Sequence, residues 1–161
     1  MQKLGIFKVA IFLAAFLPWV ALASAQSGAD HLSRGELDKK LAELSARADA
    51  SGGSASVTLA QYRNHSTMLA YRSRSGGGEV HEQFSDLFVI LKGHATLITG
   101  GALVDVRSAG PGELRGTSVK DGVSQELSGG DVVHISAGVP HQMVLAHGDT
   151  VGYFVVKVQE K

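Results

Sequence analysis

Residues 57–158 are a run of short β-branched and aromatic segments, closed at almost every end by a glycine-bearing turn. The segments fall at 57–62, 67–73, 79–83, 87–91, 95–99, 102–108, 124–127, 131–135, 142–146 and 150–158. The turn signals are Gly76-Gly77-Gly78, Lys92-Gly93, Gly100-Gly101, Pro111-Gly112, Asp121-Gly122 and Gly129-Gly130. Glycine supplies positive φ and proline fixes φ, so the chain reverses readily at such points. About ten short strands at this spacing predict an all-β sandwich or barrel. No helical stretch lies between them, which excludes a parallel α/β sheet. Residues 112–119 are polar and read either as a further strand or as a loop at the barrel mouth.

The segment ahead of the strands has a different composition. Lys3 and Lys8 precede an apolar run over 9–23, broken only by Pro18 and followed by Ala23-Ser24-Ala25. That is the form of a secretory signal peptide with a small-residue cleavage site. The apolar run is also short of the roughly 20 residues a membrane span needs. Residues 1–25 are therefore expected to be removed, leaving a secreted or periplasmic protein with no membrane contact. Residues 26–30 read as a leader. Ser33 followed by Glu36 has the spacing of a capping box, and Leu37, Leu41, Leu44 and Ala48 recur at helical spacing behind it. The pattern predicts a helix over about 34–50, with its leucine stripe docked on the barrel or on a second subunit. The division is then 1–25 signal peptide, 26–56 leader and helix, and 57–161 barrel domain.

The chain carries 15 basic and 15 acidic side chains and no cysteine. Balanced charge argues against nucleic acid as a partner. The absence of cysteine excludes disulfides and thiolate metal sites. Any metal must be held by imidazole and carboxylate.

The strongest candidate for such a ligand is His141. Gly129-Gly130-Asp131 makes a tight turn, a short strand follows, and Ala137-Gly138-Val139-Pro140 forces a second corner immediately before His141. The imidazole is thereby held at the mouth of a strand by a rigid turn. This stretch resembles the second motif of the cupin superfamily, G-x5-P-x-G-x2-H, with Gly130, Gly138 and His141 on the spacing and Ser136 in place of the proline. Asp86 and Gly93 resemble the E-x6-G half of the family's first motif, G-x5-H-x-H-x3-4-E-x6-G, with aspartate for glutamate. Its histidine half fits in two registers. Glu79 and His81 take the two histidine positions in one, His81 and Gln83 in the other; the first keeps the family's spacing to Asp86 and is preferred.

The resemblance spans most of the chain beyond the helix. It implies a double-stranded β-helix, the cupin jelly-roll barrel, with one N-terminal amphipathic helix. It also implies that His81, His141, Asp86 and Glu79 are the metal ligands, and that Gln83 is a catalytic candidate orienting substrate or water. Residues two apart in a strand share a face, so Glu79, His81 and Gln83 would all point inward. A mixed nitrogen and oxygen set suits a divalent ion such as Zn, Fe(II), Mn or Ni. It lacks the three histidines of most iron-dependent cupin dioxygenases. A barrel this small leaves room for one small pocket. The expected function is a metal-binding cupin acting on a small polar molecule by lyase, isomerase or oxygenase chemistry. The alternatives are a non-catalytic ligand- or metal-binding module and a metal-free scaffold. A homodimer is expected from the resemblance.

Other residues are assigned more simply. Met143 and Leu145, on the face of His141, are expected to line the pocket. Phe88, Ile90 and Phe154 are expected in the core. His134 is expected to be structural and His94 exposed. Tyr71, Arg72, Arg74 and Tyr153 are unranked candidates for a polar handle or acid.

Overall fold

The structure is a computed structural model that describes residues 28–160. The expected signal peptide lies outside the described residues. Helix α1 (Arg34–Ala50) starts at the capping box. The Glu36 N–H donates to Ser33 Oγ at 3.3 Å and the Ser33 N–H donates to Glu36 Oε2 at 2.8 Å, so two otherwise orphaned donors are satisfied reciprocally.

Among the described residues the strands are β1 (Ser54–Gln61), β2 (His65–Arg72), β3 (Gly78–His81), β4 (Phe84–Thr99), β5 (Ala102–Val104), β6 (Arg107–Gly110), β7 (Glu113–Gly116), β8 (Ser118–Lys120), β9 (Val123–Ser128), β10 (Val132–Ile135), β11 (His141–Val144) and β12 (Val151–Gln159). All their pairings are antiparallel, as a chain of short reversals requires. One sheet runs β1-β2-β12-β4-β10 and the other β9-β4-β11-β3-β7-β6; β5 and β8 form a separate ribbon.

The long strand β4 belongs to both sheets. Its first half pairs with β10 and β12, its second half with β9 and β11. The composition predicts two strands here with a reversal at Lys92-Gly93. Instead Gly93, at φ 83°, bends one strand without ending it. His94 N–H donates to the Thr150 carbonyl at 3.0 Å, and a Cβ on Gly93 would overlap that same carbonyl. Glycine is needed because another backbone occupies the place of its side chain.

Two apolar cores result. Inside the shell, Phe88 and Ile90 of β4 pack with Tyr153 and Val155 of β12, Leu97 and Met143. These positions alternate along each strand with residues on the outer face. On that outer face Leu69 and Tyr71 of β2 meet Leu41, Leu44 and Ala48 of α1. The leucine stripe therefore docks on the barrel, and β2 is covered on both sides. Among the described residues no helix is long and apolar enough to cross a membrane.

Two expectations are corrected and one open alternative is resolved. Strand β3 stops at His81, and the chain passes from one sheet to the other across Glu82-Gln83. Of the two readings open for residues 112–119 the strand holds: Glu113–Gly116 is β7 and Ser118–Lys120 is β8, and β7 pairs with β3. Met143 and Leu145 belong to the inner core and not to the pocket lining.

Candidate metal centre

The site is a lattice of cross-strand neighbours. His141 is paired with Glu79 in register. Glu79 is paired with Arg115, and His81 with Glu113. On the other sheet Asp86 is paired with Lys157, Phe88 with Val155 and Ile90 with Tyr153. Directly opposed residues have Cβ atoms about 5 Å apart, so register alone brings these side chains within reach.

The ligand atoms converge. His81 Nε2 is 3.9 Å from Glu79 Oε2 and 3.4 Å from Asp86 Oδ2. His141 Nε2 is 3.5 Å from Glu79 Oε1 and 3.7 Å from Asp86 Oδ2. The two ring centroids are 5.4 Å apart. Glu79, His81 and His141 each offer an atom within 4.8 Å of the other two. Ligands at about 2.0–2.2 Å from one ion can stand no more than about 4.4 Å apart. The four nitrogen–oxygen separations above satisfy that limit.

Both rings are held in the tautomer a metal needs. His141 Nδ1 is 3.0 Å from the Val139 carbonyl. A carbonyl only accepts, so Nδ1 carries the hydrogen and a neutral ring leaves its lone pair on Nε2. That buried Nε2 has no hydrogen-bond partner. His81 Nδ1 is 2.6 Å from Glu113 Oε2, so its lone pair is likewise directed at the cluster. A carboxylate or carbonyl behind each imidazole is the usual support of a histidine ligand.

Around this cluster the charges are paired. Arg115 spans two carboxylates, Nη2 to Glu79 at 3.4 Å and Nη1 to Glu113 at 3.2 Å. Lys157 Nζ stands 3.0 Å from Asp86 Oδ1, an ion pair whose angle is not that of a hydrogen bond. Asp86 thus offers only Oδ2 to the imidazoles. Burial alone would raise the Glu79 carboxyl, but the contact and charge of His141, with Arg115 and His81, outweigh it and bring its pKa to about 2. Glu79 is accordingly ionised and ready to bind a cation. Burial lowers the His81 imidazole and Lys157 adds to this, against Asp86, Glu79 and Glu113. Burial pulls His141 down as well, yet Glu79, the Val139 carbonyl and Asp86 raise it from its ordinary value. A metal and a proton therefore compete most directly for His141.

A cavity of about 230 Å³ opens beside the cluster, lined by Glu79, His81 and Asp86 on one side and by Arg72, Phe88 and Tyr153 on the other. Four of the five site candidates from the sequence, Glu79, His81, Asp86 and His141, are brought together here. Gln83 is not: it is exposed in the two-residue crossing, outside the cavity lining. The strand alternation that would have turned it inward ends two residues earlier. Glu113, Arg115 and Lys157 were missed. Their signal is a period of two: Glu113 with Arg115, and Lys157 in line with Val151, Tyr153 and Val155.

No protein-family model matches the chain, and no curated protein does. Solved structures do. An uncharacterized conserved protein with a double-stranded β-helix domain from Klebsiella pneumoniae is 12% identical, with a TM-score of 0.51 over 68% of this chain and 80% of that one. DMSP lyase DddQ from Ruegeria pomeroyi is 16% identical, with a TM-score of 0.50 over 69% of this chain; the match spans 49% of the lyase. A cupin superfamily protein from Desulfitobacterium hafniense is 17% identical, with a TM-score of 0.47 over 66% of this chain and 78% of that one. At such identities the likeness is one of fold. Two sheets sharing one kinked strand, closed around an inner core and flanked by one helix, give this chain an all-β double-stranded β-helix fold.

Proposed function

We propose that the chain is a metal-binding cupin acting on a small polar molecule, with a divalent ion (Zn, Fe(II), Mn or Ni) held by Glu79, His81 and His141. Asp86 Oδ2 is placed to join them. One observation carries this reading. Two buried imidazoles, on strands far apart in sequence, aim Nε2 lone pairs at the same carboxylates, and each is fixed from behind through Nδ1. A bound ion would supply Lewis-acid polarisation of a carbonyl, carboxylate or hydroxyl. The chain's own groups do the rest. Tyr153 is buried, and burial raises its phenol pKa and keeps it protonated. Its hydroxyl and the Lys157 ammonium are the proton donors on the cavity wall. Met68, Ala70 and Phe88 contribute an apolar patch to the wall. Lyase, isomerase and oxygenase reactions are all compatible with such a site, since the fold does not choose among them. The reading takes the chain as exported and homodimeric, on the strength of residues 1–25 and the family resemblance.

A second reading has its own support. Glu79 and Asp86 are both engaged by cations, which leaves no carboxylate free as a general base. A module that holds its ligand without turnover would look the same, and a turnover screen, including O₂ uptake, separates the two.

The test is metal content after reconstitution with each of the four ions. About one ion per chain is expected, with His81→Ala and His141→Ala falling far below that while keeping their β-sheet circular dichroism. A wild-type load far below one for every ion, or a full load in His141→Ala, overturns the reading.

A further inference from the structure

The charges around the cavity do not close once a divalent ion is present. Glu79, Asp86 and Glu113 supply three negative charges, and Arg72, Arg115 and Lys157 supply three positive ones. With the histidines neutral the group is balanced before any ion enters. A divalent ion leaves it two charges positive in a half-enclosed, partly apolar space. Uncompensated charge in such a place is costly, so an anion is favoured there.

One cation has nothing to neutralise it. Arg115 and Lys157 are each held against carboxylates. Arg72, at the inner face of β2, donates from Nε to the Tyr153 hydroxyl at 3.1 Å, and among the described residues it forms no ion pair. Burial works against its charge, but Tyr153 and the more distant Glu79 keep the guanidinium firmly protonated. Its Nη donors, and the hydroxyl hydrogen of Tyr153, have no protein acceptor among the described residues. A guanidinium fork beside a phenol is a ready-made receptor for a carboxylate. The cavity, at about 230 Å³, is smaller than the roughly 300–1,000 Å³ of sites for drug-sized ligands.

We infer that the molecule bound here is a short-chain organic acid with a second oxygen function, its carboxylate held by Arg72 and Tyr153 and its far oxygen directed at the Glu79–His81–His141 cluster. The far anchor rests on the metal-binding reading; the Arg72 anchor does not. Arg72 is thereby the residue that selects anionic over neutral ligands, and the apolar patch of Met68, Ala70 and Phe88 receives the carbon chain between the two ends.

Calorimetric titration of the full chain tests this with succinate, malonate and lactate as probes and succinamide as the neutral match. Each is titrated into zinc-loaded and metal-free protein. At least one acid is expected to bind, with succinamide at least about tenfold weaker than succinate, since hydrogen bonds to charged groups are among the stronger ones. Arg72→Gln should lose at least about tenfold in both forms while keeping its zinc load, and Arg72→Lys should recover part of the loss. A wild-type chain that takes up none of zinc, iron(II), manganese and nickel overturns the metal reading, and the metal-free titration still reports on Arg72. Equal affinity of wild type and a zinc-loaded Arg72→Gln overturns this inference alone. So does equal affinity for succinate and succinamide, or no binding of any acid at millimolar concentration; neither comparison depends on a variant that folds.

Discussion

At the scale of single residues, the site works through what stands behind its ligands. Glu113 touches no candidate ion position. It accepts from His81 Nδ1 at 2.6 Å and is itself held by Arg115 at 3.2 Å. Removing it frees the ring to rotate or to change tautomer. Groups in this supporting role typically contribute about 10–100-fold to metal affinity. Glu113→Ala is therefore expected to weaken zinc binding by about that factor in a competition titration. Glu113→Gln should lose less, because its amide oxygen still accepts from Nδ1. Unchanged affinity in both variants would show that His81 is not a ligand. The sequence does not reveal this residue, and the reason is physical. Strand prediction takes apolar positions as the buried face. In β7 the residues aligned with the site are Glu113 and Arg115. A strand that lines a polar site inverts the usual alternation, so residues 112–119 read as strand or loop alike.

Elements that serve packing were readable to within a few residues. The capping box marks the start of α1, and its leucine spacing marks the face that docks. Leu44, 1% exposed, closes on Leu69 and Tyr71 of β2. Leu44→Ala should cost about 2–5 kcal/mol in denaturant unfolding, as for other fully buried leucines, with zinc affinity unchanged because the inner face of the sheet is untouched. A loss below about 0.5 kcal/mol would mean that the helix does not pack on β2 in solution. Where element reading failed, tertiary context decided. Lys92-Gly93 has the composition of a reversal, yet the second backbone at Thr150 makes it a bend within one strand. Gln83 has the spacing of an inward residue, yet the chain changes sheets at Glu82. Neither fact is encoded locally. Turn chemistry pointed to His141, whereas Glu79, His81 and Asp86 were named through the family resemblance. The corner at Ala137-Gly138-Val139-Pro140, with Gly138 at φ 77°, delivers His141 to the first position of β11.

For the whole molecule, closure of the sheets is what turns four separated residues into one centre. Asp86 lies on one sheet, Glu79, His81 and His141 on the other, and β4 carries the chain between the two. The inner core of Phe88, Ile90 and Tyr153 sets how far apart those walls stand. Charge follows the same division. Each sheet brings both acids and bases, and the arrangement is neutral until an ion adds to it. The double-stranded β-helix shell and the cluster of imidazoles and carboxylates are separate claims, and only the second carries chemistry. X-ray absorption at the zinc edge of the reconstituted protein addresses that claim directly. Scattering from two imidazoles bound at about 2.0–2.1 Å is expected, falling to one in His141→Ala with the ion still partly bound. A spectrum with no imidazole scattering, or with both imidazoles retained in His141→Ala, would contradict it.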